Sequence, residues 1–314
     1  MPAAWPPTET VVRRGPALLE WAEANGARVD EILHGAGALL IRGLKINQSS
    51  QFEAFLETLF QAPLLNYENR STPRSRVGGN VFTSTEYPPD EMIPLHNENS
   101  YTTAWAMRIA FLSVVTAESG GATPIADSRE VYRRIPARVR DAFESRRLLY
   151  VRNFGSLDLP WQEVFGTDDP EQVGVYCRAN GIDHEWRSDG TLVTRQLCQV
   201  TATHPTTGDV VWFNQAHLFH VSSLRPEVRE AMLSTFGEDR LPRNVYFGDG
   251  GAIPTDMLAE IRAAYDACMV AFPWQPGDLL LLDNMLSAHG RQPYSGPRKV
   301  LVGMSRPFSG KQNS

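Results

Sequence analysis

From about residue 77 onward the chain is written in short runs of β-branched and aromatic residues broken by glycine and proline, and this texture restricts the fold more than any other feature. Val81–Thr85, Ile109–Val115, Thr191–Thr194, Gln196–Thr201, Val210–Phe213, Leu279–Leu282 and Lys299–Met304 are each too short for an ordinary helix and lie between turn formers. They predict a mainly β, antiparallel core. Ahead of them, residues 1–14 are proline-rich and expected to be irregular. Leu18, Leu19, Trp21 and Ala22 predict a helix over Gly15–Ala27. Gly37–Gly43 reads as a buried strand, and Ser49–Leu59 as an amphipathic helix capped by Ser49 or Ser50. Asp127 and Ser128 stand where they would cap a helix running through Val131, Ile135 and Val139, and further helices are expected over Arg225–Phe236 and Thr255–Met269. Residues 153–190 have no clear period and predict an insertion with short helices, of a length often used as a lid or binding loop. Strands on both sides of that long insertion favour a single domain over residues 1–314, with an α/β lead-in (about 15–76) and the insertion or lid (about 153–190).

With 42% hydrophobic residues the chain can bury a large core. Its net charge of −6 argues against nucleic acid or an anionic membrane as the main partner. Cys177, Cys198 and Cys268 are odd in number and widely spaced, which suggests neither a disulfide framework nor a zinc ribbon and fits a reducing cytoplasm. The first residues lack the basic start and apolar core of a secretory signal, and no stretch approaches the ~18 apolar residues of a membrane span. A cytoplasmic protein is expected, and its oligomeric state is not specified.

The chemistry concentrates in Pro94-Leu-His96-Asn-Glu98-Asn-Ser-Tyr101. In an extended segment side chains repeat every second residue, so His96 and Glu98 would leave one face and could close on one ion. A third ligand is offered far downstream by His289, which follows the apolar run ending at Asp283. Two imidazoles and one carboxylate on one face leave positions open, as in non-haem Fe(II) oxygenases. His217 and His220, three apart in an apolar, aromatic stretch, are a rival pair for a zinc hydrolase. Past His289, Arg298 could take a carboxylate through its bidentate fork, Arg291 competes for that role, and the Thr123 hydroxyl could steady the same group. Asn99, Ser100 and Tyr101 follow the candidate ligands directly, and Asn214 and Gln215 are polar in an apolar setting; all five are expected substrate contacts. His34 reads as a helix-end residue, and His184 and His204 as loop residues.

Taken in order, Pro94–Tyr101, Glu118-Ser-Gly-Gly-Ala-Thr123-Pro-Ile-Ala-Asp127, Trp212-Phe-Asn-Gln215 and Asp283-Asn-Met-Leu-Ser-Ala-His289-Gly-Arg291 with Arg298 resemble the taurine dioxygenase and clavaminate synthase-like superfamily of Fe(II)/2-oxoglutarate oxygenases. The match covers about Val77–Met304. Within that superfamily the chain is similar to the syringomycin-type branch, which acts on amino-acid units beside nonribosomal peptide synthetases. The resemblance implies a double-stranded β-helix (jelly roll) with helices outside, Fe(II) held by His96, Glu98 and His289, 2-oxoglutarate contacted by Thr123 and Arg298, and O₂ as the oxidant. Many relatives have Asp where Glu98 stands, and halogenating relatives have a small residue there; a carboxylate therefore implies oxygen insertion. The nine-residue step from His289 to Arg298 is shorter than in several relatives. The implied activity is hydroxylation of an unactivated C–H of an amino acid, free or tethered to a peptidyl carrier protein, in natural-product (antibiotic) biosynthesis. Desaturation or epoxidation with the same cofactors is an alternative, as is a non-catalytic jelly-roll binding protein.

Overall fold

Four consecutive leucines, 279–282, make sense only in a strand covered on both faces. Leu279 and Leu281 pack on one side with Leu39, Ile41, Ala110 and Leu112, while Leu280 and Leu282 pack on the other with Ala38, Leu40, Ile109 and Phe111. The structure, a computed structural model, describes residues 5–66, 74–155 and 157–310. Its largest sheet has seven strands in the order Thr8–Arg14, Ala38–Lys45, Leu279–Asp283, Ala104–Val115, Lys299–Ser309, Val81–Thr83 and Arg76–Gly78. The helices Pro16–Ala36 and Ser49–Phe60 cover its outer face. Against the inner face lies a three-stranded sheet of Ile93–His96, Ser287–Arg291 and Ile125–Asp127, whose Ile125 shares the inner core with Phe111 and Leu280. Two facing sheets wrapped by helices make the double-stranded β-helix.

Several elements differ from expectation for local reasons. The proline-rich start is not irregular throughout, because Thr8–Arg14 pairs in parallel with Ala38–Lys45 and so joins the lead-in to the main sheet. The first helix runs on to Ala36 through Gly26. That glycine lets the two outer helices touch, since a Cβ there would stand 2.8 Å from the Leu59 carbonyl oxygen. Gln48, not Ser49 or Ser50, occupies the cap of the second helix, with no side-chain cap bond. Asp127 does cap the next helix, accepting from the Arg129 N–H at 2.8 Å, but that helix stops at Arg134 ahead of Pro136 and a second begins at Ala137.

The segment around 153–190 is less of a loop than its composition suggested. Leu148–Phe154, Ile182–Trp186, Leu192–Cys198 and Arg243–Phe247 form a four-stranded sheet, with the helices Trp161–Phe165 and Pro170–Asn180 between its strands. The stretch predicted as two strands around residue 195 is the single strand Leu192–Cys198, followed by a short one at Thr201–Thr203. The three cysteines are unpaired. Among the described residues, no helix is long and apolar enough to cross a membrane.

Candidate metal centre

Sheet pairing brings the distant histidines together, because His96 and His289 are cross-strand partners in adjacent strands. Their rings lie 4.6 Å apart, and His289 Nε2 stands 3.7 Å from Glu98 Oε2. Donor atoms of His96, Glu98 and His289 all fall within 4.8 Å of one another. The route to this arrangement is not the expected one: the strand ends at His96, and Asn97–Ser100 turn back, closed by the Ser100 N–H donating to the Asn97 carbonyl at 3.3 Å. Glu98 therefore joins His96 through a turn rather than through strand alternation.

The donor set fits a divalent cation of the iron type. His96 Nδ1 faces the Pro94 carbonyl at 2.8 Å, which places the proton on Nδ1 and leaves the Nε2 lone pair for an ion. Burial, with His289 beside it, pushes the His96 imidazole down to about 4, so it is neutral at pH 7. Burial alone would raise the Glu98 carboxyl, but Arg74 and the two histidines outweigh it and hold the group well below the usual carboxylate range. Arg74 Nη2 donates to Glu98 Oε2 at 2.7 Å, and both side chains are buried. Sequence reading missed Arg74; nothing marks a lone arginine more than twenty residues upstream.

Glu98 is also fixed from behind. Its N–H donates to Asn284 Oδ1 at 2.8 Å, and Asn284 Nδ2 donates back to the Glu98 carbonyl at 3.0 Å. Asn97 Nδ2 donates to the Asn284 carbonyl at 2.6 Å, and Gln215 Nε2 donates to the Asn97 carbonyl at 2.8 Å.

Beside the triad, Arg74, Phe111, Thr123, His289, Arg291 and Arg298 line a small cavity. Arg298 Nε donates to the Gly121 carbonyl at 3.0 Å, and its Nη1 to Ser84 Oγ at 3.3 Å. Gly121, at φ +71°, makes room for this, because a Cβ there would come within 3.2 Å of Arg298 Cδ. Burial first and Arg291 second push the Arg298 guanidinium down to about 10. A buried cation crowded by another is suited to a dianion. Thr123 Oγ1 accepts from Trp274 Nε1 at 3.2 Å. Arg291, the rival anchor, instead donates to the carbonyls of Tyr87, Pro88 and Glu91 and ties down that loop.

Of the five expected substrate contacts, only Gln215 lines the cavity that opens onto His96 and Glu98. Ser100 is fully buried and donates to the Asn97 carbonyl, Tyr101 packs in a core cluster, and Asn214 donates to the Val200 carbonyl and caps the following turn through Ala216 N–H. The turn after Glu98 directs Ser100 and Tyr101 inward. Asn99, at φ 57°, lines a separate cavity with Thr103 and Trp105.

The rival metal sites fare differently. His217 Nε2 is engaged by the Leu95 carbonyl at 2.9 Å and its ring stacks on Tyr265, with burial driving the imidazole down to about 3; His220 Nδ1 accepts from the Ser222 N–H. Among the described residues neither joins an acid in a ligand group. His34, His204 and Asp283 do form such a group, but Arg108 fills it. Its guanidinium contacts Asp283 and reaches His34 Nε2 at 2.8 Å, while His204 Nδ1 accepts from the Thr206 and Thr207 N–H groups and its Nε2 meets Asp283 at 3.0 Å. This network is structural.

Residues 6–305 match the family described as Taurine catabolism dioxygenase TauD, TfdA family. The chain is 42% identical over 280 residues, covering 89% of it and 85% of the relative, to the dapdiamide synthesis protein DdaC of Enterobacter agglomerans. It is 31% identical over 292 residues, covering 88% of it and 84% of the relative, to a clavaminate synthase-like protein of Arabidopsis thaliana. Among solved structures it is similar in fold to the PvcB protein of Pseudomonas aeruginosa, with TM-score 0.56 at 13% identity over 97% of this chain and 88% of that one. A similar likeness holds to AAD-2 in complex with Mn(II) and N-oxalylglycine, with TM-score 0.55 at 13% identity over 97% and 95%.

Proposed function

Given that the chain belongs to the taurine catabolism dioxygenase TauD, TfdA family and is an Fe(II)- and 2-oxoglutarate-dependent dioxygenase, we propose that it oxidises an unactivated carbon of an amino acid or a carrier-tethered aminoacyl group in natural-product biosynthesis. The whole chain is read as one oxygenase unit, with the lead-in built into its main sheet. The likeness to a dapdiamide synthesis protein supports the biosynthetic setting. One observation carries the catalytic reading: two imidazoles and one carboxylate, from segments nearly two hundred residues apart, converge within 4.8 Å.

In this reading His96, Glu98 and His289 would hold Fe(II), with one cavity bordered by His96 and His289 and the other by His96 and Glu98. Arg298 takes the distal carboxylate of 2-oxoglutarate, with Thr123 as a hydroxyl donor beside it. When bound, the iron and 2-oxoglutarate supply the oxidising power, consuming O₂ and releasing succinate and CO₂. The chain's own contribution is geometric. Asn284 fixes the Glu98 peptide, the Pro94 carbonyl sets the His96 tautomer, and the Phe111 ring lies 4.9 Å from that of His289. Hydroxylation, rather than desaturation or epoxidation with the same cofactors, is the proposal.

Anaerobic addition of Fe(II) and 2-oxoglutarate is expected to give a weak visible charge-transfer band in the wild type and none in His96→Ala. Absence of the band, with equal metal uptake by both proteins, overturns the reading. A succinate-release screen of free against carrier-loaded amino acids then decides how the substrate is presented.

A further inference from the structure

Among the described residues sixteen large apolar side chains are exposed, and five of them, Tyr87, Met92, Leu157, Leu224 and Val228, line one groove of about 670 Å³. They come from three separate segments, so one loop standing off the core does not account for them. The helix Pro226–Phe236 supplies part of the wall. None of its residues is buried, although Val228 and Met232, four apart on one face, both line the groove. Apolar surface gathered in this way on a folded chain marks a place where something binds.

The charges of the groove are paired with one another. Arg225 Nη2 faces Glu91 Oε1 at 3.6 Å, and Arg243 Nη2 donates to Asp158 Oδ1 at 2.9 Å. What the groove offers a ligand is therefore chiefly apolar contact. Six of its lining residues also line the cavity beside His96 and Glu98, and five of those six, Tyr87, Met92, Pro94, Leu218 and Phe219, are apolar or aromatic. Groove and cavity thus adjoin. The cavity measures about 140 Å³, whereas pockets that enclose a whole small-molecule ligand run to about 300–1,000 Å³. It has room for the reacting end of a substrate, and the apolar groove is the space beside it for the rest.

We propose that the substrate is an amino-acid unit extended by an apolar chain, an acyl or alkyl group of several carbons, which lies in the groove against Leu157, Leu224 and Val228 while the amino-acid end occupies the cavity at His96 and Glu98. This inference rests on the oxygenase reading, and the two fail separately: absence of the visible band removes that reading, whereas a dependence on chain length read by calorimetry needs no band and decides the groove alone.

The probes are N-acyl derivatives of L-alanine with chains of two, six and ten carbons, and L-alanine N-alkylamides of the same lengths, so that the chain leaves from either end of the amino acid. Each is titrated anaerobically into the Fe(II) and 2-oxoglutarate complex, reading perturbation of the visible band, and in parallel by calorimetry into the protein with Mn(II). In the wild type, affinity in at least one series is expected to rise about tenfold or more from two to ten carbons, because each buried methylene adds to binding. Val228→Asp and Leu157→Asp are expected to erase that dependence while leaving 2-oxoglutarate affinity unchanged. Val175→Asp, at an exposed valine that lines neither cavity, is expected to leave the dependence intact. Thermal melts confirm that each variant folds. A flat series in the wild type, a dependence that survives both groove variants, or one lost equally in Val175→Asp would overturn the proposal. So would a wild-type dimer in sedimentation that Val228→Asp dissociates, since the groove would then belong to a second copy of the chain.

Discussion

Asn284 grips both ends of one residue, accepting from the Glu98 N–H at 2.8 Å and donating to the Glu98 carbonyl at 3.0 Å. The same Nδ2 also donates to the Ala106 carbonyl at 2.9 Å. The residue that supplies the only carboxylate of the candidate triad is thereby held by a side chain in the turn between two strands of the barrel. Replacing Asn284 by Ala leaves these buried groups unpaired. Stability is expected to fall by about 2–3 kcal/mol, and Fe(II) affinity by roughly ten- to a hundredfold. Calorimetry and an anaerobic metal titration measure the two effects. A variant that binds iron with wild-type affinity would show that the Glu98 backbone is held by other means.

Ligand binding should be visible in stability, since an ion that binds only the folded chain adds free energy by mass action. At about a hundred times its dissociation constant Mn(II) with 2-oxoglutarate is expected to add roughly 2.7 kcal/mol, read as a raised melting temperature. His96→Ala and Glu98→Ala should lose this shift. A full shift in both variants would place the metal elsewhere.

Arg298 and Arg291 should separate by experiment. Arg298→Gln is expected to raise the KM for 2-oxoglutarate by about ten- to a hundredfold, with Arg298→Lys intermediate because a point charge replaces a fork. Arg291 donates to the carbonyls of Tyr87, Pro88 and Glu91, so Arg291→Gln should chiefly lower thermal stability. Steady-state kinetics beside melting curves distinguish the two, and the opposite pattern would exchange their roles.

How much of the molecule is legible in its sequence depends on how local each signal is. Leu279–Leu282 announce a doubly covered strand because every residue in the run is apolar. His96, Glu98 and His289 can be picked out by residue type and order, although the strand alternation expected for the first two gives way to a turn. Arg74 and Asn284 carry no such mark, since each acts on Glu98 across the chain, Asn284 from 186 residues away. Ser100 and Tyr101 mislead for the converse reason: adjacency to a ligand says nothing about which way a turn directs the next side chain, and the polar Asn214 in its apolar setting serves the backbone of Val200 and Ala216 instead. The first helix outruns its expected end because the purpose of Gly26, contact with the Leu59 carbonyl, belongs to another helix.

Asp283 ties the candidate site to acid stability. Burial alone would raise its carboxyl, but the His204 hydrogen bond and the Arg108 charge outweigh it and hold the group below its ordinary value. As pH falls, the unfolded chain therefore binds the proton first. The stability contributed by Asp283 is fully present above the unfolded value of about 3.9 and is lost as pH drops through the lower folded value. Asp283→Asn leaves buried Arg108 without one partner and is expected to cost about 3–5 kcal/mol near neutral pH. That deficit should stay constant down to about pH 4 and shrink below it, because the wild type then loses what the variant already lacks. Denaturant titrations of both proteins across this range measure the difference. A deficit that persists undiminished in acid would mean that the Asp283 charge is not what stabilises the fold, since Asn keeps an oxygen for the Met285 and Leu286 N–H groups.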